Sequence, residues 1–179
     1  AYYAGANILI LSDRGVDENH IAIPSLLAVS AVQQYLVRTK KRTAISIILE
    51  SAEPRDVHHF ATLFGYGASA VNPYLAQDCI GELIAGGALN KDYYAAVDAY
   101  NKAILDGVMR IASKMGISSM QSYEGAQIFE AVGICKDVVD RYFTNTVSRV
   151  GGIGLQEINE AVLWRHDRAY DPMDLTADL

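Results

Sequence analysis

Three short apolar runs of this sequence each end in polar or charged side chains that could hold a ligand. These side chains belong to Asp13, Arg14, Glu50 and Asn72, and Ser51 stands beside Glu50. Ligands of parallel α/β folds gather beyond the carboxyl ends of the strands, so the four residues form one candidate ligand site. The alternative is that they cap helices and close loops. The sequence favours this alternative, because nothing in it specifies their mutual geometry.

A second possibility is an acid/base set formed by Glu50 and Glu53 with His58, since histidine titrates near neutral pH. The helix-capping interpretation is preferred here too. His58 and His59 are adjacent, so on a helix they do not share one face as the i, i+4 pair of a zinc protease does. No metal site is predicted. One of these histidines is expected to pack against the sheet and the other to face polar surroundings.

Glycine-rich stretches raise the question of a phosphate site. Residues 65–70 (GYGASA) follow a helical run and precede a strand-like one, the reverse of the dinucleotide-binding order. Residues 151–155 (GGIGL) precede a helical run, but no strand is predicted before them. In residues 113–133, Ser122 is the predicted helix cap, and Glu124 already places negative charge in the first turn. All three stretches are therefore interpreted as turns or helix ends.

The elements that must position these residues follow a repeating order in the first half of the chain. Strand-like runs cover residues 7–12, 43–49 and 68–73, and each precedes a run with helical spacing. Such βα repeats predict parallel pairing with right-handed crossovers. The predicted fold is α/β, with a small parallel sheet of three to four strands in an open or partial barrel-like layer.

The second half of the chain is predicted to be helical. A long helix is expected from a cap at Asn90 to a stop at Gly116. Shorter helices are expected over residues 123–131, 137–143 and 155–169. Residues 1–170 are predicted to form one α/β domain and residues 171–179 a linker or tail. An opening without methionine and a polar end are expected of a piece cut from a longer chain.

Composition limits the class of partner. The 179 residues carry a formal net charge of -6, which argues against nonspecific nucleic-acid binding. The basic cluster at residues 38–42 is interpreted as a solvated helix end. Cys79 and Cys135 form no metal-binding pair, and no apolar run is long enough to span a membrane. A cytoplasmic location without membrane contact is expected.

Four long segments carry a more specific signal. They are ILILSDRGVDENHIAIPSLLAVSAV, ESAEPRDVHHFATLFGYGASAVNPYLA, SKMGISSMQSYEGAQIFEAVG and VVDRYFTNTVSRVGGIGLQEI. In this order they resemble the glutamate synthase large chain, in the later part of the central domain that lies between its glutaminase and FMN-binding domains. The resemblance extends over nearly all of the chain.

The resemblance implies a role in making L-glutamate from glutamine and 2-oxoglutarate. It implies partners in the glutaminase and FMN-binding domains of the same enzyme, which passes ammonia between them through a tunnel. FMN and an iron–sulfur cluster are expected in the parent enzyme, and no cofactor, metal or catalytic residue in this chain. The isolated chain is expected to be inactive, and within the enzyme the segment is expected to act as a scaffold that links the two domains. Glu124 departs from the commonly basic position of the family pattern SYxGAQ and is expected to face solvent.

Two alternatives to the scaffold remain open. One is a free-standing α/β module that binds a small molecule at the strand-end residues. The other is a docking piece that exposes an apolar surface when its neighbouring domains are missing.

Overall fold

A computed structural model describes residues 2–171 of the chain. All of the predicted tail except Asp171 therefore lies outside the described residues. The first half forms a three-stranded parallel sheet of β1 (Ile8–Ser12), β2 (Ser46–Glu50) and β3 (Ala70–Asn72), in the order β1-β2-β3. Single-turn 3-10 helices, Tyr2–Ala4 and Arg42–Ala44, precede β1 and β2. The predicted α/β class with a small parallel sheet is confirmed.

Both crossover helices cover the same face of this sheet. They are α1 (Ser25–Arg38) and α2 (Val57–Gly65). Val29 of α1 and Leu63 of α2 pack with Leu49 in a buried cluster. Burial of such aliphatic side chains, at about 1.5–3 kcal/mol each, is the main force that holds the two helices on the sheet.

A second helical layer lies over α2. It consists of α3 (Tyr74–Ala85) and α4 (Tyr93–Lys114), and α4 packs Ile104 and Val108 against α2. The predicted cap of α4 at Asn90 is wrong by two residues. The Asp92 carboxylate caps the helix instead, accepting a hydrogen bond of 3.0 Å from the backbone N–H of Ala95.

The C-terminal half contains a second sheet that was not predicted. The elements of this half are α5 (Met120–Tyr123), β4 (Glu130–Ile134), α6 (Lys136–Tyr142), β5 (Val147–Ile153) and α7 (Leu155–Tyr170). The strands β4 and β5 pair in parallel, with irregular register. The helix expected over residues 123–131 is wrong, because Gly125 and Gln127 have φ of +75° and +56° and the chain leaves the helical region there.

Helix α6 joins the two halves. Its buried Val138 and Val139 pack with Phe143 against partly buried side chains that include Leu26 of α1 and Tyr66 after α2. The hydroxyl of Ser30, which is buried in α1, donates to the backbone carbonyl of Tyr142. The helices of the first half therefore lie between the three-stranded sheet and the C-terminal half.

Candidate ligand site at the strand ends

The four strand-end residues come together in the folded chain: Arg14 and Asn72 donate to the carboxylate of Glu50, and the backbone N–H of Asp13 donates to the Glu50 carbonyl. Glu50 Oε1 accepts from Arg14 Nε at 2.7 Å and from Asn72 Nδ2 at 3.2 Å. Its Oε2 accepts from the hydroxyl of Ser12 at 2.7 Å. The parallel register causes this convergence, because Ser12 lies opposite Glu50 and Glu50 lies opposite Asn72.

Asp13 forms the second half of the cluster. Its carboxylate accepts from the Ser51 hydroxyl at 2.6 Å, from the backbone N–H of Ala52 at 2.9 Å and from the Tyr74 hydroxyl at 2.8 Å. The guanidinium carbon of Arg14 also lies over the Tyr74 ring, 4.0 Å from the ring centroid. Tyr74 therefore links the Asp13 half to the Glu50 half.

Sequence reasoning missed two members of this cluster, Ser12 and Tyr74. Ser12 stands next to the charged residues at the end of β1, so its position was a usable signal. Tyr74 is the first residue of α3. Nothing in the local sequence of Tyr74 indicates that its hydroxyl reaches Asp13, which lies 61 residues away.

The hydrogen bonds of the cluster shift the protonation of its members. Hydrogen bonds from Arg14 and Ser12 hold the pKa of Glu50 below its ordinary value. The hydrogen bond to Glu50 correspondingly raises the pKa of Arg14. Burial, followed by the hydrogen bond to Asp13, raises the pKa of Tyr74 to about 12. At neutral pH, Glu50 is therefore ionised, and its carboxylate accepts hydrogen bonds that oppose its protonation.

A cleft of about 460 Å³ adjoins the cluster. Its polar lining residues are Ser12, Asp13, His20, Ser25 and Ser51, and Ile10 and Ile21 are among its apolar lining residues. Asp13 is hydrogen-bonded only to neutral groups among the described residues. Its carboxylate is therefore suited to a cationic or hydrogen-bond-donating group in the cleft.

The suggested acid/base set is not assembled, because its members bond elsewhere. Glu53 Oε2 accepts from the backbone N–H of Ser25 at 2.7 Å, at the start of α1. The His58 ring contacts Phe129 edge-to-face, and His59 Nδ1 accepts from the backbone N–H of Arg55 at 3.1 Å. Both histidines are exposed, so the expectation that one packs against the sheet is wrong.

The glycine-rich stretches have structural roles. Gly67 has a φ of +112° in the turn before β3, and the carbonyl of Gly65 accepts from the N–H of Gly125 at 2.9 Å. The expectation that no strand precedes residues 151–155 is wrong, because these residues run from β5 into α7. Glu157 accepts from the N–H of Gly154 at 2.8 Å and so occupies the N-terminus of α7 with its own carboxylate.

Glu124 is not a solvent-facing charge. Its carboxylate pairs with Arg42 at 2.7 Å, and only 20% of the Arg42 side chain is exposed. Two expectations are therefore corrected: Arg42 is not part of a solvated helix end, and Glu124 is not free in solvent. The predicted cap at Ser122 is also wrong. Ser119 caps α5, and Ser122 lies inside that helix.

The residues present do not fit FMN or an iron–sulfur cluster, the two cofactors that the resemblance implies for the parent enzyme. An iron–sulfur cluster needs a close set of cysteines, whereas Cys79 lies exposed in α3 and Cys135 precedes α6. Within residues 2–171, no group of three or more His, Cys, Asp or Glu side chains is placed to hold a metal ion. At the strand ends, the carboxylates of Asp13 and Glu50 are a poor match for the phosphate of FMN.

In the part of the chain that the structure covers, none of the helices combines the length and the apolar character needed to cross a bilayer.

Comparison with known proteins identifies the family of the chain, which the geometry of the strand-end cluster does not. A family model described as glutamate synthase central domain matches residues 1–135. The chain is 55% identical over 166 residues to the glutamate synthase (NADPH) large chain of Bacillus subtilis, covering 93% of this chain and 11% of that protein. It is 40% identical over 168 residues to the glutamate synthase (NADH) of Schizosaccharomyces pombe, covering 93% of this chain and 8% of the relative.

The name of a third relative specifies ferredoxin, whereas the first two names specify NADPH and NADH. The chain is 41% identical over 184 residues to ferredoxin-dependent glutamate synthase 2 of Synechocystis, covering 95% of this chain and 12% of that protein. The chain therefore spans about a tenth of the length of these curated relatives.

Proposed function

The chain belongs to the glutamate synthase central domain family, and from this premise we propose that it is a scaffold within a glutamate synthase large chain. In this role it links the glutaminase domain to the FMN-binding domain and supports the passage of ammonia between them. The whole enzyme forms L-glutamate from glutamine and 2-oxoglutarate. A single observation carries the proposal: the central-domain family model matches three quarters of the chain.

The geometry supports a scaffold more than a catalytic role. The strand-end carboxylates are engaged by side chains of the same segment, and Glu53 and Glu157 occupy helix N-termini. FMN and the iron–sulfur cluster are assigned to other parts of the enzyme, and a cytoplasmic location stays a prediction. The purified 179-residue chain is expected to be colourless and to turn over neither glutamine nor 2-oxoglutarate. The absorption spectrum of a bound flavin would contradict this assignment.

The scaffold role is tested in the full-length enzyme by loosening the segment at the ion pair between Arg42 and Glu124. We expect Arg42→Ala to raise the ammonia released per glutamate formed, because a less rigid scaffold lets the product of glutamine hydrolysis escape. The matched control is Arg149→Ala, which removes an exposed ion pair with Glu130. An equal loss of glutamine hydrolysis and glutamate formation, with no ammonia release, would count against support of the tunnel.

A second candidate function rests on the cleft beside Asp13. A free-standing module would bind a small molecule at Asp13, Arg14, Glu50 and Asn72, with the Asp13 carboxylate accepting from the ligand. Thermal-shift measurements with glutamine, 2-oxoglutarate, flavins and nucleotides separate the two functions. A saturable stabilisation that Asp13→Asn abolishes would favour the module, and a flat response across these compounds would favour the scaffold.

A further inference from the structure

Within residues 2–171, helices cover the three-stranded sheet on one face only. Alternation along the strands places Leu11, Leu49 and Val71 on the face that packs against α1 and α2. The opposite face, here called the open face, carries the strand residues of the opposite orientation. They are Ile8, Ile10, Ser12, Ser46, Ile48, Glu50, Ala70 and Asn72.

The open face has an apolar part and a polar part. Ile8 and Ile10 are 52% and 65% exposed, and they lie beside Ser46 and Ile48 of the next strand. Ser12, Glu50 and Asn72 form the polar part at the carboxyl end of the strands. Parallel sheets in proteins are normally covered on both faces, so a parallel sheet with exposed isoleucines lacks a layer.

The apolar surface continues around the free edge of β1. The 460 Å³ cleft is lined by Ile10 together with Ile21 and Ile23 of the following loop. A second cleft of about 570 Å³ shares Ile21 and Ile23 and continues to Ile158 of α7. Ile23 is 66% exposed. Contiguous apolar surface of this kind marks a contact with another part of a protein rather than isolated exposed side chains.

We propose that another part of the same glutamate synthase polypeptide packs aliphatic side chains onto the open face and buries Ile8 and Ile10. This inference rests on the proposed function. The occupant is assigned to the same polypeptide because the matched relatives carry roughly nine-tenths of their length outside this segment. Elements that are near in sequence are usually adjacent in space, so such a chain offers a covering layer without a second molecule.

The polar end of the open face defines the chemistry of the partner further. The Arg14 side chain is 52% exposed although its Nε is bound to Glu50. The covering surface therefore presents aliphatic groups over Ile8 and Ile10, and a carboxylate or carbonyl oxygen near Arg14. An oxygen of this kind satisfies the guanidinium as it leaves water, which avoids the penalty for burying an unpaired charge.

The test is the rate of thiol labelling at single positions of the full-length enzyme. Ile10→Cys introduces a thiol on the open face, and the matched control Tyr94→Cys introduces one on α4, where the native side chain is 79% exposed. Maleimide incorporation at each position is followed by peptide mass spectrometry. We expect position 10 to react at least about tenfold more slowly than position 94. Carbene footprinting of the unsubstituted enzyme, in which Ile10 stays unlabelled and Tyr94 is labelled, checks the result without any substitution.

Two outcomes would overturn the inference. Labelling at position 10 as fast as at position 94, with both as fast as in the urea-unfolded enzyme, would show that the open face stays in water. Protection of position 10 that disappears when the enzyme is diluted would identify a second copy of the chain as the occupant. The proposed function fails by a different observation. It would be wrong if the coding sequences that flank this segment encoded no glutaminase and FMN-binding domains.

Discussion

The Arg42 side chain hydrogen-bonds to groups from both halves of the chain. Its guanidinium donates to Gln33 in α1, to the carbonyl of Ile45 at 2.8 Å and to Glu124 at 2.7 Å. Planar guanidinium groups suit several fixed acceptors at once, which lysine does not. Arg42 therefore ties the start of β2 to the loop after α5.

Removal of this side chain is expected to destabilise the protein. Arg42→Ala leaves Glu124 partly buried without its partner, at a cost of about 2–3 kcal/mol in the free energy of unfolding. Urea denaturation followed by circular dichroism measures the change. The control Arg149→Ala breaks an ion pair in which the arginine side chain is 77% exposed, and we expect less than about 1 kcal/mol there. Equal effects of the two substitutions would contradict the structural role of Arg42.

A second prediction concerns the effect of Tyr74 on the pH dependence of stability. Its pKa is about 12 in the folded protein, above the ordinary value of 10.0. Between these two values the folded state keeps a proton that the unfolded state loses, so stability is full below pH 10 and falls as pH rises toward 12. The decline in the free energy of unfolding above pH 10 is expected to be shallower in Tyr74→Phe. Parallel pH profiles of the two proteins would rule this out.

At the scale of elements, the close approach of α2 and α4 depends on a glycine. A Cβ added at Gly107 of α4 would lie 2.6 Å from Cγ1 of Val57, at the start of α2. Val57 is β-branched and has few alternative rotamers, so it cannot easily move away. The missing side chain at Gly107 is therefore what lets these two helices meet there.

Alanine scanning of helical glycines tests this contact. Gly107→Ala is expected to lower the free energy of unfolding by about 1–3 kcal/mol, because the added methyl overpacks the interface. The matched control is Gly81→Ala in α3, where the nearest atom, Cε2 of Tyr93, lies at an ordinary 3.6 Å. That substitution is expected to stabilise by about 0.5–1 kcal/mol through helix propensity. A stabilising effect at both positions would show that α2 and α4 are not held at this distance.

At the scale of the whole molecule, the open face dominates the solution behaviour expected of the isolated chain. Ile10 is 65% exposed, and apolar surface of this extent promotes association. We expect the 179-residue chain to associate as its concentration rises. Ile10→Lys is expected to reduce this association while changing the free energy of unfolding by less than about 0.5 kcal/mol.

Sedimentation velocity over a concentration series measures this effect. Tyr94→Lys is the control, because Tyr94 is 79% exposed on α4 and lies outside the open face. We expect it to leave association unchanged. A wild-type chain that stays strictly monomeric at every concentration would mean that the exposed isoleucines do not drive contacts between molecules.

The first half of the fold was largely predictable because its signals are local. Apolar runs bounded by glycine and charged residues gave the three strands, and helical spacing gave α1 and α2 to within a few residues. The C-terminal sheet was not predictable in the same way. Val147–Ile153 reads VSRVGGI, which neither alternates strictly between apolar and polar residues nor forms a continuous apolar run, so the sequence carries no strand signal there.

The strand-end cluster was predictable only in part. Parallel order alone predicts that Asp13, Arg14, Glu50 and Asn72 share one edge of the sheet, and the hydrogen bonds place them together. Their role as a ligand site stays a prediction. The contribution of Tyr74 was out of reach, because its bond to Asp13 depends on where α3 begins relative to β1.

The sequence by itself determined the α/β class, the βα order of the first half and the glutamate synthase resemblance, because periodicity and long matched segments do not require tertiary contacts. Only the tertiary structure decided which charges are paired and which face is left uncovered. The Arg42–Glu124 pair joins residues 82 positions apart, and Ile10 is exposed because no described element lies over the open face. Partners so distant in sequence are chosen by packing and burial, which no local pattern records.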